Sequence, residues 1–400
     1  MNYRTGDIDS RRLVNLYKEH ISDVSSTNYP GVYPGQNYEW DLDDFKNVGG
    51  GKRLRECTNS LEQRQKNLKV DFQYATNEHV EFDLVGVDAS IANALRRILI
   101  AEVPTMAIER VYIYNNTSVI QDEVLSHRLG LVPLYIDPRL MEDAPADYQT
   151  QSTDRNTVVF SLNIACSERE DAAPGETDPE KLYHNSNVYA SDLEWVPQGE
   201  QVKLKEDPPR AVNPKILLAK LRPGQEIAME MHAVKSIGRD HTKFSPVATA
   251  TYRLMPHIQL LKPGDRYDES KRRVEKLEMA NMEQAERFRD AFQEGVIEIK
   301  KERGKVFVRV KSPRRDNVTR RILELPEFDN MVRLGRVRDW FIYSVESTGQ
   351  YPAVDLFHVS TNVLRQKVRN LKAEAERLQR EWEGTRDRAS VEPDNDVEMS

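Results

Sequence analysis

The residues best suited to chemistry in this chain of 400 residues are its eight histidines and two cysteines. Cys57 and Cys166 do not form a CxxC pair, and two thiols cannot supply a four-thiolate zinc or iron–sulfur site. No HExxH pair or GxSxG turn is present, and neither cysteine has an obvious base partner. We therefore predict no catalytic, metal-binding or cofactor-binding residue, and we interpret His127 and His241 as structural histidines. The abundant Asp and Glu residues leave an acid–base pair open, because no pair can be singled out without a pocket.

Three polar segments could bind ions or nucleic acid. Residues 49–52 (GGGK) lack the phosphate-loop spacing, since Lys46 stands where the first glycine belongs and Arg53 stands where Ser or Thr would hold magnesium. The acidic residues 167–180 lack the ordered ligand spacing of a calcium loop, so a solvated loop is favoured. The basic residues 311–321 could contact nucleic acid or an acidic partner. An exposed loop is the favoured interpretation, because no stacking aromatics interleave with these charges.

Composition is typical of an intracellular protein without a strong charge field. The chain has 58 basic and 65 acidic residues, a formal net charge of -7, so no global basic field attracts nucleic acid or a membrane. No apolar run is long enough to span a bilayer, and residues 1–26 are polar where a signal peptide would be apolar. With only two cysteines, we expect a reducing compartment and no membrane association.

The elements that must position any site begin with a helix. Asp88 and Ser90 can cap its first turn, and Pro104 ends it after Val103. Residues 106–114 then alternate as a strand, and residues 121–129 return to helical spacing before Gly130. The first helix carries one apolar stripe, with Asn93, Arg96 and Arg97 beside or opposite it. The stripe consists of Ile91, Ala94, Leu95, Ile98 and Leu99.

A second helix near the end of the chain carries a coiled-coil seam. Its apolar residues are spaced alternately by four and three, and no Gly or Pro interrupts them before Gly384, which is expected to end the pattern. A lone solvated helix would leave these side chains unburied, so the seam predicts a packing partner. The seam consists of Leu364, Val368, Leu371, Ala375, Leu378 and Trp382.

Two further helices and several strands are weaker predictions. Residues 11–21 could form one short helix, and residues 270–292 are predicted as a strongly charged helix with an apolar side. Residues 295–300 and 305–310 are predicted as paired strands across a glycine-containing turn. Other alternating segments predict strands between residues 70 and 87, at 158–164, at 226–233 and at 247–254.

Four motifs in this order resemble the alpha-like subunits of cellular RNA polymerases. Residues 92–97 (ANALRR) and 126–131 (SHRLGL) resemble the alpha motif. Residues 238–246 (GRDHTKFSP) resemble a segment of the archaeal and eukaryotic subunits, and residues 341–349 (FIYSVESTG) resemble the strand and turn before the family's long last helix. The resemblance covers roughly residues 60 to 383. It implies an α+β protein with a discontinuous dimerisation domain.

The resemblance also implies a division into segments. The dimerisation domain would be interrupted by a β-rich insertion and by a ferredoxin-like insertion that lacks its cluster cysteines. The expected segments are an N-terminal extension with weak structure (1–58), dimerisation parts (60–116, 226–261 and 335–385), the β-rich insertion (117–225), the ferredoxin-like insertion (262–334) and a disordered acidic tail (386–400).

By the same resemblance, the chain would be a noncatalytic assembly subunit, most similar to the larger alpha-like subunit shared by RNA polymerases I and III. The resemblance implies heterodimerisation with the smaller alpha-like subunit, which would nucleate the two large subunits, so that DNA is met only through the complex. It implies a nuclear and nucleolar protein that supports synthesis of ribosomal RNA precursor, 5S RNA and tRNA. The expected contact residues are Ile91, Asn93, Leu95, Arg96, Arg97, Ile98, Leu99, Arg128, Leu364, Val368, Leu371, Leu378 and Trp382.

The sequence leaves open several alternatives for the role of the arginines and for the class of protein. Arg96, Arg97 and Arg128 could pair with carboxylates of the large subunits, or they could cap or pair within the chain. The missing cysteines argue against the polymerase II counterpart and against a redox or metal protein built on the ferredoxin-like insertion. A bacterial-like homodimeric alpha subunit is disfavoured, because no linker to a second C-terminal domain follows Gly384.

Overall fold

A computed structural model describes residues 13–22, 68–143, 152–170, 177–263 and 273–389. It divides the chain into two discontinuous compact units. The first contains Met1–Gln73, Glu81–Ala92 and Thr251–Ser344, and the second contains Tyr74–Val80, Asn93–Ala250 and Val345–Ser400. Cys57, residues 49–52, most of the 1–58 extension, part of the 167–180 loop and the tail from residue 390 lie outside the described residues. The described part is an α+β fold, as predicted.

The described helices are α1 (Ala89–Ala101), α2 (Asp122–Gly130), α3 (Pro179–Leu182), α4 (Met282–Asp290) and α5 (Ala353–Ala389). The strands up to the middle of the chain are β1 (Leu13–Leu16), β2 (Ile21–Ser22), β3 (Lys69–Ala75), β4 (His79–Val85), β5 (Pro104–Asn116), β6 (Leu134–Tyr135), β7 (Thr157–Ala165), β8 (Ser167–Glu168), β9 (Tyr183–His184), β10 (Asn187–Tyr189) and β11 (Glu194–Val196). The later strands are β12 (Arg210–Ala211), β13 (Leu217–Lys220), β14 (Glu226–Ile237), β15 (Val247–Leu261), β16 (Arg273–Val274), β17 (Lys276–Met279), β18 (Ile297–Glu302), β19 (Lys305–Val310) and β20 (Val332–Ser347).

The largest sheet has seven strands, with β16-β15-β20-β1-β2 along its path and β4 linking β20 to β3. β1 pairs antiparallel with β20, so that Leu13 lies opposite Val337 and Leu16 opposite Leu334. The prediction of a short helix at residues 11–21 is therefore wrong for its described part. Residues more than 300 positions away supply the ladder hydrogen bonds, and this tertiary pairing outweighs the weak local helical pattern.

The helix predicted to begin near Asp88 is confirmed as α1. The backbone N–H of Ser90 donates to Asp88 Oδ2 at 3.2 Å, which satisfies one of the unpaired amides of the first turn. Tyr343, a buried residue of β20, donates its hydroxyl to the carbonyl of Ala92. The start of the helix is therefore fixed by its own cap and by the sheet of the first unit.

The second unit is built on the four-stranded sheet β11-β7-β14-β5. β14 pairs on both sides, with β5 and with β7, over almost its whole length. Its alternate residues Ile227, Met229 and Met231 are buried in a core that also contains Phe160 and Leu125. The predicted strands at 106–114, 158–164 and 226–233 are thus confirmed, and each is longer than its pattern indicated.

Residues 276–310 contain the three-stranded antiparallel sheet β17-β19-β18, against which α4 packs. The predicted long helix at 270–292 is wrong, because Lys276–Met279 pairs with β19 and alternates between exposed and buried side chains. The helix begins only after Asn281, whose side chain accepts from the N–H of Gln284 at 2.8 Å. The predicted hairpin of β18 and β19 is confirmed, and Arg303 and Gly304 both have positive φ in its turn.

The end of β20 leads into α5 through a tight turn. Gly349 has φ of +89°, and a Cβ there would collide with the Val212 side chain, so the turn requires glycine. β20 begins at Val332, so one strand crosses the expected boundary at residue 334. α5 continues through Gly384 to Ala389, so the helix extends past the glycine that was expected to end the apolar pattern. No helix in the described part of the chain is long and apolar enough to cross a membrane.

Candidate subunit interface

α5 is anchored at its first turns and exposed beyond them. Ala353, Leu356 and Ser360 are fully buried, whereas every described side chain from Arg365 onward is exposed. A helix of 37 residues extends about 55 Å at 1.5 Å per residue. Most of α5 therefore exposes its described side chains.

The predicted seam lies along this exposed part of α5. Val368 is 58% exposed, Leu371 71%, Leu378 57% and Trp382 61%, while Leu364 is half-buried. Residues spaced by four and three fall on one side of a helix, so these side chains form one apolar strip, which we call the α5 seam. Contiguous large apolar side chains that remain exposed in one chain indicate a surface for another protein.

An ion pair connects α5 to the end of α1 within the second unit. The Lys367 ammonium lies 2.8 Å from both carboxylate oxygens of Glu102. Both side chains are partly exposed, so solvent screens the pair and its contribution to stability is small. The pair places the beginning of the α5 seam close to the last turn of α1.

α1 buries one face and exposes the other. Leu95, Ile98 and Leu99 are 4%, 2% and 0% exposed, so these three side chains pack inside the chain. The expectation that they contact a partner directly is therefore corrected, since a buried side chain has no surface left to offer. Ile91 is exposed, at the start of the helix.

The face opposite the buried stripe contains Asn93, Arg96, Arg97 and Ile100, which we call the α1 outer face. At 100° per residue these four positions share one side of the helix. Ile100 is exposed, and sequence reasoning missed it because it lies off the apolar stripe. Arg97 is exposed and has no ion pair with any described residue, whereas Arg96 donates to Asn93 Oδ1 at 3.1 Å.

Arg128 donates hydrogen bonds within its own chain. Its Nε donates to the carbonyl of Leu218 at 3.1 Å and its Nη2 donates to the carbonyl of Leu217 at 2.5 Å, which attaches α2 to β13. Of the two alternatives raised for this arginine, the structure supports pairing within its own chain. Its side chain is nevertheless exposed, so contact between Arg128 and a large subunit stays a prediction.

The two predicted structural histidines meet where the SHRLGL and HTKFSP segments converge. The rings of His127 and His241 lie 6.5 Å apart and nearly perpendicular. His241 Nδ1 accepts from the N–H of Lys243 at 3.1 Å, so it caps a short 3-10 turn. The Lys243 ammonium donates to the carbonyl of Ile108 at 2.8 Å and pairs with Glu109. The Lys243 contacts attach this 3-10 turn to β5, and the structural interpretation of the two histidines stays a prediction.

The described residues contain no cluster of metal ligands, and the cysteine among them is not activated as a nucleophile. No group of three or more His, Cys, Asp or Glu side chains is positioned to hold a metal ion there. Cys166 is a buried free thiol, and burial raises its pKa above the ordinary value, while the charge of Arg222 acts in the opposite direction. A raised pKa makes the thiol a poor nucleophile near neutral pH.

Residues 81–368 match the sequence model of the RNA polymerase Rpb3/Rpb11 dimerisation domain. The chain belongs to this family. Its predicted resemblance to the alpha-like subunits is thereby confirmed, because the four motifs lie within the matched residues. Leu371, Leu378 and Trp382 lie beyond the match, so the α5 seam extends past the part that defines the family.

Several relatives match most of the chain or nearly all of it. The Homo sapiens protein named DNA-directed RNA polymerases I and III subunit RPAC1 is 42% identical over 376 residues, which cover 93% of this chain and 97% of that protein. The Saccharomyces cerevisiae protein of the same name is 42% identical over 363 residues, with 90% and 97% covered. The Dictyostelium discoideum RNA polymerase II subunit rpb3 is 28% identical over 320 residues, with 79% and 97% covered.

Proposed function

We propose that the chain is the larger alpha-like subunit shared by RNA polymerases I and III, acting as a noncatalytic assembly scaffold. The relatives named for polymerases I and III are 42% identical to it, against 28% for the relative named for polymerase II. Two isolated cysteines also fit poorly with a cluster-bearing relative or with a redox protein. The main observation behind this proposal is the α5 seam, an apolar strip that is exposed in the single chain.

The proposed partner of the α5 seam is the smaller alpha-like subunit. The α5 seam supplies apolar area, and Asn93, Arg96 and Ile100 of the α1 outer face supply a second patch of mixed polarity. Ile91, on the other side of α1, is a separate exposed apolar side chain. Interfaces combine an apolar core with a polar rim, and arginine is enriched in them. The heterodimer would then bind the second-largest and largest subunits and meet DNA only through the complex. The protein would act in the nucleus, including the nucleolus, in synthesis of ribosomal RNA precursor, 5S RNA and tRNA.

Arg97 is the proposed contact to a large subunit. It is exposed and has no ion pair with any described residue, so its guanidinium is available for bidentate pairing with a carboxylate. Arg97→Gln should preserve the heterodimer and weaken capture of the large subunits. Arg369→Gln is the matched control, since it removes an exposed arginine from the side of α5 opposite the seam.

The proposal is tested by purifying the tagged full-length chain from cells and identifying its companions by mass spectrometry. We expect the two largest subunits of both polymerase I and polymerase III, in near-stoichiometric amounts. Recovery of polymerase II large subunits instead, or of no large polymerase subunit, would refute the proposed function. Metal analysis of the same sample should find no stoichiometric zinc or iron bound to this chain.

A further inference from the structure

β5 is the outer strand of the four-stranded sheet in the second unit, because the strand order ends β7-β14-β5. One side of β5 pairs with β14. On its first part, three carbonyls at every second residue accept hydrogen bonds from side chains outside the sheet, so they point away from β14. The Tyr351 hydroxyl donates to Pro104 at 2.9 Å, Gln350 Nε2 to Met106 at 3.3 Å and the Lys243 ammonium to Ile108 at 2.8 Å.

The backbone groups of Val111 and Ile113 point to the same free side of β5. In an antiparallel strand, residues whose side chains share a face also direct their N–H and C=O groups to the same side. Met106 and Ile108 face the core, and their carbonyls point away from β14. Val111 and Ile113 pack against the same core, beyond an irregularity in the pairing at which Glu109 is the extra residue. Their N–H and C=O groups therefore also face away from β14.

These outward groups of Val111 and Ile113 have no hydrogen-bond partner among the residues that the structure describes. We call residues 111–113 the open edge. A cavity of 260 Å³ lies between β5 and α2, and Val111 lines it. Lys243, which donates to the outward carbonyl of Ile108, lines the same cavity. The open space is therefore on the free side of β5, where another chain has room to lie.

The open edge is short and has a defined boundary at each end. At one end Lys243 pairs with Glu109 and covers the preceding part of β5. At the other end Asn116 Nδ2 donates to Asp122 Oδ1 at 2.7 Å, where the chain turns into α2. Between these boundaries, Val111 and Ile113 each present one N–H and one C=O group. A row of unpaired backbone groups at a sheet edge is a template for a further strand.

We propose that the open edge pairs with a short extended segment of another polypeptide in the assembled polymerase. The matching chemistry is an extended backbone, whose alternating N–H and C=O groups have the spacing of a strand. Tyr112 is 43% exposed and Tyr114 71% on the outer face of β5, so the residue of the added strand opposite Tyr112 is expected to be apolar or aromatic. Assigning the segment to a polymerase subunit rests on the proposed function, whereas the geometry of the open edge does not.

The test is residue-resolved hydrogen exchange, comparing the full-length chain alone with the purified polymerase that contains it. In the chain alone, the amides of Val111 and Ile113 should exchange about 100-fold faster than that of Tyr112, which faces β14. In the polymerase, the first two amides should slow about 100-fold and Tyr112 should stay slow. Slowing at neither amide, or at only one, would overturn the proposal. Slow exchange in the chain alone that increases with its concentration would also overturn it, because a second copy would then occupy the open edge.

Two variants of Ile113 separate strand pairing from simple coverage of this surface. Ile113→Pro removes an outward N–H, a change that edge strands tolerate, and Ile113→Ala is the matched control that loses side-chain packing but keeps the N–H. In the polymerase, the Val111 amide should exchange rapidly in Ile113→Pro and slowly in Ile113→Ala, and equal exchange in the two would contradict strand pairing.

The wild-type comparison decides the question if Ile113→Pro does not fold. Failure of the chain to copurify with any polymerase subunit would refute the proposed function. A purified polymerase in which the Val111 and Ile113 amides still exchange rapidly would refute only the pairing of the open edge, so the two failures are distinguishable.

Discussion

Truncation of Leu371 should separate association of the heterodimer from stability of the chain. Leu371 is 71% exposed in the single chain. Complete burial of a leucine side chain contributes about 1.5–3 kcal/mol, so burial of the exposed part against a partner contributes about 1–2 kcal/mol. Leu371→Ala should therefore raise the Kd of the complex with the smaller alpha-like subunit roughly 5- to 30-fold. Leu371→Asp should weaken it further, since it would bury an unpaired charge.

The assay is titration of the labelled partner with each variant, together with urea unfolding of the variant alone. Because Leu371 is largely exposed in the single chain, the free energy of unfolding should change by less than about 0.5 kcal/mol. Arg369→Ala, on the opposite side of α5, is the control and should leave Kd unchanged. An unchanged Kd for Leu371→Asp, or a Leu371→Ala chain that is itself strongly destabilised, would refute the assignment of the α5 seam to a partner.

Four further predictions concern residues with contacts inside the chain. Leu99→Ala should lower the free energy of unfolding by about 2–5 kcal/mol, because the side chain is fully buried; urea denaturation at the wild-type midpoint would contradict this. Arg128→Met should cost about 0.5–1.5 kcal/mol, because it removes two hydrogen bonds that are only partly shielded from water, and the same unfolding measurement checks it. Cys166 should be alkylated by iodoacetamide more slowly in the native chain than in urea, since burial raises its pKa; equal rates in peptide mapping would argue against this. Burial also raises the pKa of Asp316, so its folded pKa exceeds the unfolded one and stability is lost as pH rises through that window. Asp316→Asn should therefore gain stability relative to wild type at pH 7, and the gain should vanish at pH values below the unfolded pKa; a gain independent of pH would show another cause.

Much of the fold follows from local signals. α1 has a capping aspartate and an uninterrupted apolar stripe, and β18 and β19 alternate on either side of a glycine turn. Local sequence features are therefore enough to predict both the helix and the hairpin. The helices predicted from sequence at residues 13–16 and 276–279 are wrong for the same reason. Each is a short segment whose conformation depends on the distant strand with which it pairs, β20 or β19, and no window of sequence contains that information.

The candidate interface was predictable only in part. The α5 seam was identified because seven-residue spacing in a long helix demands a partner, whichever chain supplies it. The α1 stripe has similar periodicity, yet its own chain buries Leu95 and Leu99. Periodicity shows that a face is apolar and cannot show what covers it. A search for apolar stripes does not find Ile100, because its neighbours on the helix surface are arginines. Its exposure in the structure identifies it as part of the α1 outer face.

The most direct test of the assembly proposal is native mass spectrometry of the full-length chain, expressed alone and together with the smaller alpha-like subunit. We expect a 1:1 heterodimer on coexpression, and a chain that is poorly soluble or self-associated when expressed alone, because the α5 seam is then uncovered. A stable, soluble monomer that does not bind the coexpressed partner would contradict the assembly proposal.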